Sequence, residues 1–366
     1  MKLGTYLLSL SLLTLLFTSC KDDIDLASNS KASAVVYGLL DASDSVHMIK
    51  INRAFVSNGN SLDIAQIPDS NYFNNVDATV TEYINGVAGR VWTLHDTLVQ
   101  NKESGVFFAP EQKIYTFSTS TSAPLLADGN TEYELNVDIN NGEFMVQGRT
   151  KLVSGMAIQS PSSINSYSFA KSNVSTLGYD RTTIKFATGT AKAADVSLRI
   201  FYDEYQGASS TTKYFDWKVS EMGPDALNSL TTQVAADGET FYRLVKQNVV
   251  PNSLVTNRRI NSIMLTVTGG SADLQNYIQI NKPSTTLAQN KPTYTNLTAT
   301  NDRRVLGLFS SRQTKVLTKI EFEPGSPNIV ALNKFTMKEL GIGPLTGSLL
   351  FCSGNPQHAG ETWHCQ

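Results

Sequence analysis

The sequence predicts an all-β protein: an immunoglobulin-like sandwich followed by a second, larger β-sandwich with inserted short helices. Three observations predict it. Short runs alternate apolar and polar residues, the period of a half-buried strand. Asn85-Gly86 and Asn141-Gly142 each separate two such runs, as tight hairpin turns with positive φ require. Charged residues make up only 17% of the chain while Ser, Thr and Asn are abundant. Long exposed helices are instead rich in Glu and Lys.

The first 19 residues read as a secretion leader. Met1-Lys2 is positive, and an uncharged apolar stretch from Leu7 to Phe17 follows. That stretch is too short to span a bilayer, which takes roughly 20 apolar residues. A positive start, a short apolar middle and small residues before a cut site define a signal peptide. Thr18 and Ser19 stand directly before Cys20, which looks like a lipobox ending in a diacylated cysteine. Phe17 stands where such motifs usually carry Leu. The competing reading is an ordinary leader with an incidental cysteine. Residues 20–32 form a lipidated tether, reaching at most roughly 40 Å when extended. Lys21, Asp22 and Asp23 resemble the surface-export signal of lipoproteins in the Bacteroidetes; the alternative is a solvated charged linker. The expectation is an outer-membrane, lipid-anchored, surface-exposed protein whose first partner is the membrane. Two or more acyl chains anchor stably without a spanning helix.

A chain of 366 residues less this leader leaves 347. At about 150 residues per domain, that suggests two domains, over 33–155 and 156–330, with a tail over 331–366. The net charge of −2 becomes −3 when Lys2 is removed. Nucleic acid is not an expected partner, since it would call for a basic domain. The pairs Arg258-Arg259 and Arg303-Arg304 read as solvated strand or loop positions.

Within 33–155, Val35 to Leu40 reads as a buried strand and Val46 to Ile51 as the next, with its inner face undecided between His47, Ile49, Ile51 and Val46, Met48, Lys50. Thr79–Tyr83 and Arg90–Leu94 flank Asn85-Gly86 as a hairpin. Tyr133, Leu135, Val137 and Ile139 alternate with polar residues and return after Asn141-Gly142 through Phe144 and Val146. Gly129 shortly before Tyr133 resembles a tyrosine corner, in which a phenol pins the crossover between sheets. A generic edge-strand tyrosine is the alternative. Within 156–330, strands are expected at Thr183–Phe186, Val196–Tyr202, Lys213–Val219, Ile260–Val267 and Lys315–Phe322. Helices are expected around Phe241, Leu244, Val245 and Val249, and after Ser271 with Leu274, Tyr277 and Ile278 on one face. The tail carries a short helix, about Thr336 to Leu340, that Gly341 would end.

These features together resemble a family of Bacteroidetes lipoproteins built around a domain of unknown function and often encoded beside outer-membrane transporters. The resemblance rests on Val35-Val36-Tyr37-Gly38, the Gly129-to-Val137 corner and strand, the helix around Tyr277, and Asn296 leading to Leu306-Gly307-Leu308-Phe309-Ser310-Ser311. Ala299 to Arg304 departs from it with a longer, charged turn. The resemblance implies location and a partner in an outer-membrane transport or assembly system, and no catalytic residues.

Chemistry-bearing residues are sparse. His47 and His95 lie in or beside strands and read as sheet residues. Asp203, Glu204, Asp216, Glu221 and Glu239 would serve glycoside hydrolysis only if two of them faced each other. Gly269-Gly270-Ser271 opens a helix but lacks the Gly-Lys-Ser/Thr of a phosphate loop. Tyr214, Phe215 and Trp217 would stack on sugar if exposed and otherwise belong to a core. Asp44-Ser45-Val46 and Asp96-Thr97-Leu98 resemble bacterial O-glycosylation sites at Ser45 and Thr97. Cys352 and Cys365 remain once Cys20 is acylated, and outside the cytoplasm such a pair oxidises. The rivals are free thiols, or a metal site with His358 and His364. No cofactor and no enzyme activity are expected; the leading expectation is a binding or accessory lipoprotein acting on a surface glycan, peptide or transporter. A glycan-active hydrolase and an adhesin or structural subunit are the alternatives.

Overall fold

A computed structural model of the chain describes residues 33–54, 60–171, 178–282, 293–322 and 330–366. Cys20, Lys21, Asp22 and Asp23 lie outside them, with the leader and tether. The protein is all-β, with two sandwiches and a few short helices. In the first half, β1 spans Ser33–Leu40, β2 Val46–Ala54, β3 Val76–Ile84, β4 Val87–Thr93, β5 His95–Val99, β6 Gln112–Ser118, β7 Thr131–Ile139 and β8 Phe144–Thr150. Helices α1 (Ser61–Ala65) and α2 (Pro68–Asn71) fall between β2 and β3. The second half holds β9 (Met156–Ser160), β10 (Arg181–Thr188), β11 (Ala193–Gln206), β12 (Ser209–Met222), β13 (Thr231–Asp237), β14 (Asn257–Gly270), β15 (Leu297–Ala299) and β16 (Val305–Ile320). Its helices are α3 (Gly238–Asn248), α4 (Ala272–Asn281) and α5 (Lys334–Ile342).

Among the described residues these strands form three sheets. An eight-stranded sheet runs β12-β11-β14-β16-β1-β2-β6-β5, a five-stranded sheet β15-β8-β7-β3-β4, and a three-stranded sheet β13-β10-β9. The long strand β16 joins the sandwiches. Its residues 305–311 pair in parallel with β1, and its residues 312–320 pair antiparallel with β14. The expected strand at Lys315 and the Leu306–Ser311 motif are therefore one strand.

A linear division into 33–155, 156–330 and 331–366 does not match how the cores fill. The first core, with Val36, Ile49, Val80, Leu135 and Val146, also takes in Leu297 and Phe309. The second runs from Val153 to Trp363 and includes Leu332, Met337, Leu340 and Phe351. The tail is thus core, because its apolar residues cover the open end of the second sandwich. Helix α5 also runs through Gly341 rather than ending there. A Cβ at Gly341 would stand 2.9 Å from the Trp363 Cβ, so glycine serves close packing. The helix ends at Gly343, whose N–H bonds the Glu339 carbonyl at 2.7 Å.

Local chemistry explains the elements that were legible. Asn85 and Gly86 carry φ of 52° and 80°, and Asn141 and Gly142 58° and 86°, as primed turns require. On β2, His47, Ile49 and Ile51 face the core while Met48 and Lys50 face out. Asp237 and Ser271 cap α3 and α4 by accepting from Thr240 and Leu274 N–H, as a side-chain oxygen at this position does. Tyr133 is fully buried, and its phenol accepts from Leu126 N–H at 2.6 Å. The Leu126 carbonyl and Glu82 Oε1 both stand 3.1 Å away, so its proton has a buried acceptor either way. Glu82 in turn takes Arg90, which donates to the Ala123 and Pro124 carbonyls, both at 2.9 Å. The corner is real, and it ties the β6–β7 crossover to β3 and β4.

Two outcomes follow. Tyr133→Phe should cost about 1–3 kcal/mol by leaving buried groups unpaired, and an unchanged urea midpoint would contradict that. Glu321 is buried, with Oε2 accepting from Leu332 N–H at 2.8 Å and Oε1 without a hydrogen-bond partner. Burial pushes its carboxyl up to about 8. A raised carboxyl contributes fully below the ordinary carboxylate range, and that contribution is lost as pH rises toward 8. Glu321→Gln should therefore flatten the decline in Tm across that window; an identical slope in variant and parent would contradict the assignment.

Candidate functional site

The residues singled out by sequence do not converge. Glu204 is buried between Arg258 at 2.8 Å and Lys213 at 2.6 Å. Burial raises its carboxyl, but these two cations outweigh that and hold it below the ordinary range. Asp216 pairs with Arg199, Glu221 with Lys218 and Lys282, and Glu239 with Arg243, while Asp203 accepts from Thr212 and Asn261. Each carboxylate thus has its own partner. Gly269 and Gly270 serve packing: a Cβ would stand 2.1 Å from the Met156 sulfur and 2.8 Å from Leu274 Cδ2 respectively. Phe215 and Trp217 are core residues, whereas Tyr214 is exposed, with the Arg199 guanidinium 4.2 Å above its ring. The Ser45 and Thr97 side chains are both exposed.

His47 is buried, stacks on Phe117 and reaches Thr119 Oγ1 at 3.2 Å. Burial lowers its imidazole below the usual value, against the pull of Asp44 and Asp41. His95 is exposed on β5. Cys352 and Cys365 form a disulfide, with Cα atoms 5.0 Å apart. Inside its loop the His358 ring packs at a tilt against Trp363, and its Nδ1 lies 2.7 Å from Ser353 Oγ. That contact resembles a nucleophile and base, yet both residues are buried and it braces the loop. Among the described residues no group of three His, Cys, Asp or Glu is placed to hold a metal ion. Arg258 corrects the expectation of a solvated position. It is 1% exposed, and besides Glu204 it donates to the Leu349 and Val250 carbonyls. Its own backbone pairs with Leu350 and Cys352, so this one residue fastens the C-terminal segment to β14.

A cavity of about 490 Å³ lies on the outer face of β1 and β2. Its floor is built by cross-strand partners: Tyr37 opposite Lys50, and Val35 opposite Asn52. Its roof comes from two loops, α1–α2 and residues 102–107, which contribute Leu62, Ala65, Asn71, Lys102, Val106 and Phe107. The loops are stitched together. Phe108 N–H bonds the Ala65 carbonyl at 2.9 Å, and Gln66 Nε2 donates to Gly105 and Val106 carbonyls at 3.0 and 2.7 Å. Buried Asn71 donates to Ala65 and Ile67 carbonyls, which holds α1 against α2. Lys113 N–H donates to the Tyr72 phenol at 3.0 Å, fastening the flap to β6. At one rim the Tyr37 and Tyr277 hydroxyls meet at 2.9 Å, linking β1 to α4. Sequence reading missed Lys50, Arg53, Lys102 and Phe107 as site residues. Outward positions on a strand look solvated until a later loop is known to cover them.

A second recess, about 350 Å³, lies between the sandwiches at the start of α4. It is lined by charges of both signs, among which Lys151 reaches the Gly129 carbonyl at 3.1 Å and Glu132 at 3.5 Å. Asp273 accepts from the Tyr294 hydroxyl at 2.5 Å. That arrangement describes a joint more than a ligand site. No protein-family model matches the chain, and no curated protein matches it either.

The disulfide closes a loop of about 14 residues, for which chain entropy gives roughly 3 kcal/mol. Cys352→Ser should lower stability by about that much, and the parent should gain two hydrogens in intact mass only on reduction. Thiols that alkylate without reductant would contradict the bridge.

Proposed function

We propose that this chain is a lipid-anchored envelope protein that holds a small ligand beneath the flap on its first sandwich, as the binding component of an outer-membrane transport or assembly system. The observation that carries the binding role is the roofed cavity of about 490 Å³ on β1 and β2. Ligand sites are concave, mostly apolar and supplied with a few placed polar groups, at roughly 300–1,000 Å³. Because sandwiches host many functions, the fold itself adds little. The envelope location draws support from the leader, from Cys20 directly after Thr18-Ser19, and from a disulfide of the sort formed outside the cytoplasm. Among the described residues no helix is long and apolar enough to cross a membrane. The Lys21-Asp22-Asp23 segment and the resemblance to Bacteroidetes lipoproteins point to the outer surface and to a transporter as partner.

Location and binding are tested separately. Cys20→Ala should release the protein from the membrane fraction or leave it unprocessed; normal mobility with unchanged outer-membrane fractionation would refute the anchor. Native mass spectrometry of protein isolated from its own envelope should show a bound small molecule. Val35→Trp, which fills the cavity floor, should abolish that adduct while keeping the parent's Tm. An adduct that survives in Val35→Trp, or none in the parent, would refute the binding role.

A further inference from the structure

We propose that the cavity selects a free amphipathic anion: a molecule with an apolar body, such as a single acyl chain, and an anionic head group. The inference rests on the binding role proposed above and names the class of ligand. Two features of the lining carry it. Val35, Ala54, Leu62, Ala65, Val106 and Phe107 give an apolar surface, and burying apolar area contributes about 25 cal/mol per Å². Among the described lining residues the charged ones are Lys50, Arg53 and Lys102, and none is a carboxylate.

Many cations elsewhere face a carboxylate, although buried Lys319 donates to the Ser162 and Ser163 carbonyls. Arg90, Arg149, Arg199, Lys213 and Arg258 each face a carboxylate. Around the cavity the acceptors are neutral: Lys50 Nζ donates to Gln112 Oε1 at 3.0 Å, and Lys102 Nζ to the Phe108 carbonyl at 2.7 Å. Burial and the charge of Lys50 both push the Lys102 ammonium below its usual range. Like charges gathered beside a partly desolvated space without a counterion oppose folding. An anionic head group placed among them removes that penalty and gains charge-assisted hydrogen bonds. Asn52, whose buried side-chain oxygen has no hydrogen-bond partner, is a further polar group in the lining. The stitched loops overhang the floor but leave the cavity partly open, so a free molecule can enter, and the vesicle arm of the test separates it from a bilayer lipid.

The test uses the full chain carrying Cys20→Ala, so that no anchor competes, and titrates it calorimetrically with dodecanoate below its micelle concentration. Dodecyltrimethylammonium, with the same chain and the opposite head, is the control. Dodecanoate should bind one to one, and the cationic probe at least about tenfold more weakly. Lys50→Gln with Lys102→Gln should weaken dodecanoate by about tenfold or more and narrow the difference between the probes. The head-group comparison needs no cavity variant, so the inference stays testable if the double variant fails to fold. Equal affinity for both heads would overturn it. Binding only to phosphatidylglycerol vesicles, with none to free dodecanoate, would also overturn it. If dodecanoate fails while a native adduct is present and lost in Val35→Trp, the ligand class is wrong and the binding role stands. If no adduct exists at all, the binding role itself fails.

Discussion

The structure depends on what strand β16 does between Phe309 and Ser311. Up to Ser311 the strand pairs with β1 and belongs to the first sandwich; from Arg312 it pairs with β14 and belongs to the second. The switch is secured by side chains standing in for backbone. Asn296 donates from Nδ2 to the Phe309 carbonyl at 2.6 Å and accepts from Phe309 N–H at 3.0 Å, pairing as a strand residue would. Ser310 Oγ meets Ser271 Oγ at the cap of α4, and Ser311 Oγ bridges the Lys151 carbonyl and Val153 N–H in the connector. Both serines are fully buried, and buried hydroxyls left unpaired would cost on the order of 1–3 kcal/mol each. Gly307 precedes this block with φ of 105°, and a Cβ there would lie 1.9 Å from the Val36 carbonyl oxygen. The Asn296-to-Ser311 motif is therefore a mechanical joint, and its residue types follow from that use.

The joint fixes the cavity. Parallel pairing with residues 305–311 makes β1 an interior strand, so its outer face is free to act as a floor. Placing α4 against β16 brings Tyr277 to Tyr37 and closes one rim. The roof then follows from the long excursions between β2 and β3 and between β5 and β6, which bond to each other and stand over the exposed face of β1 and β2. Carboxylates are used as structural partners at the tyrosine corner and in the Arg258 site, while the described lining of the cavity holds its cations without them.

Much of the fold was legible because strands were encoded by period-2 alternation and the turns by Asn-Gly. The Tyr133 corner and the Ser271 cap were legible for the same local reason. What failed were statements about which distant segment lies where. Arg258 looks solvated beside Arg259, since only the return of residues 349–352 buries it. The tail looks like a loose end rich in Gly and Pro, yet Phe351 and Trp363 complete a core begun some 200 residues earlier. Lys50 alternates outward from Ile49 and Ile51, and nothing local announces that Lys102 will arrive above it. The site was invisible because it is made by a covering loop, while the strands beneath it have an ordinary pattern.

The most direct measurement is hydrogen–deuterium exchange on the full chain with and without dodecanoate. The account predicts slower exchange in peptides covering residues 60–72 and 101–110 and in strand β2, with residues 190–270 unchanged. Protection confined to the recess at residues 128–132 and 149–154, or no protection anywhere at saturating ligand, would contradict it.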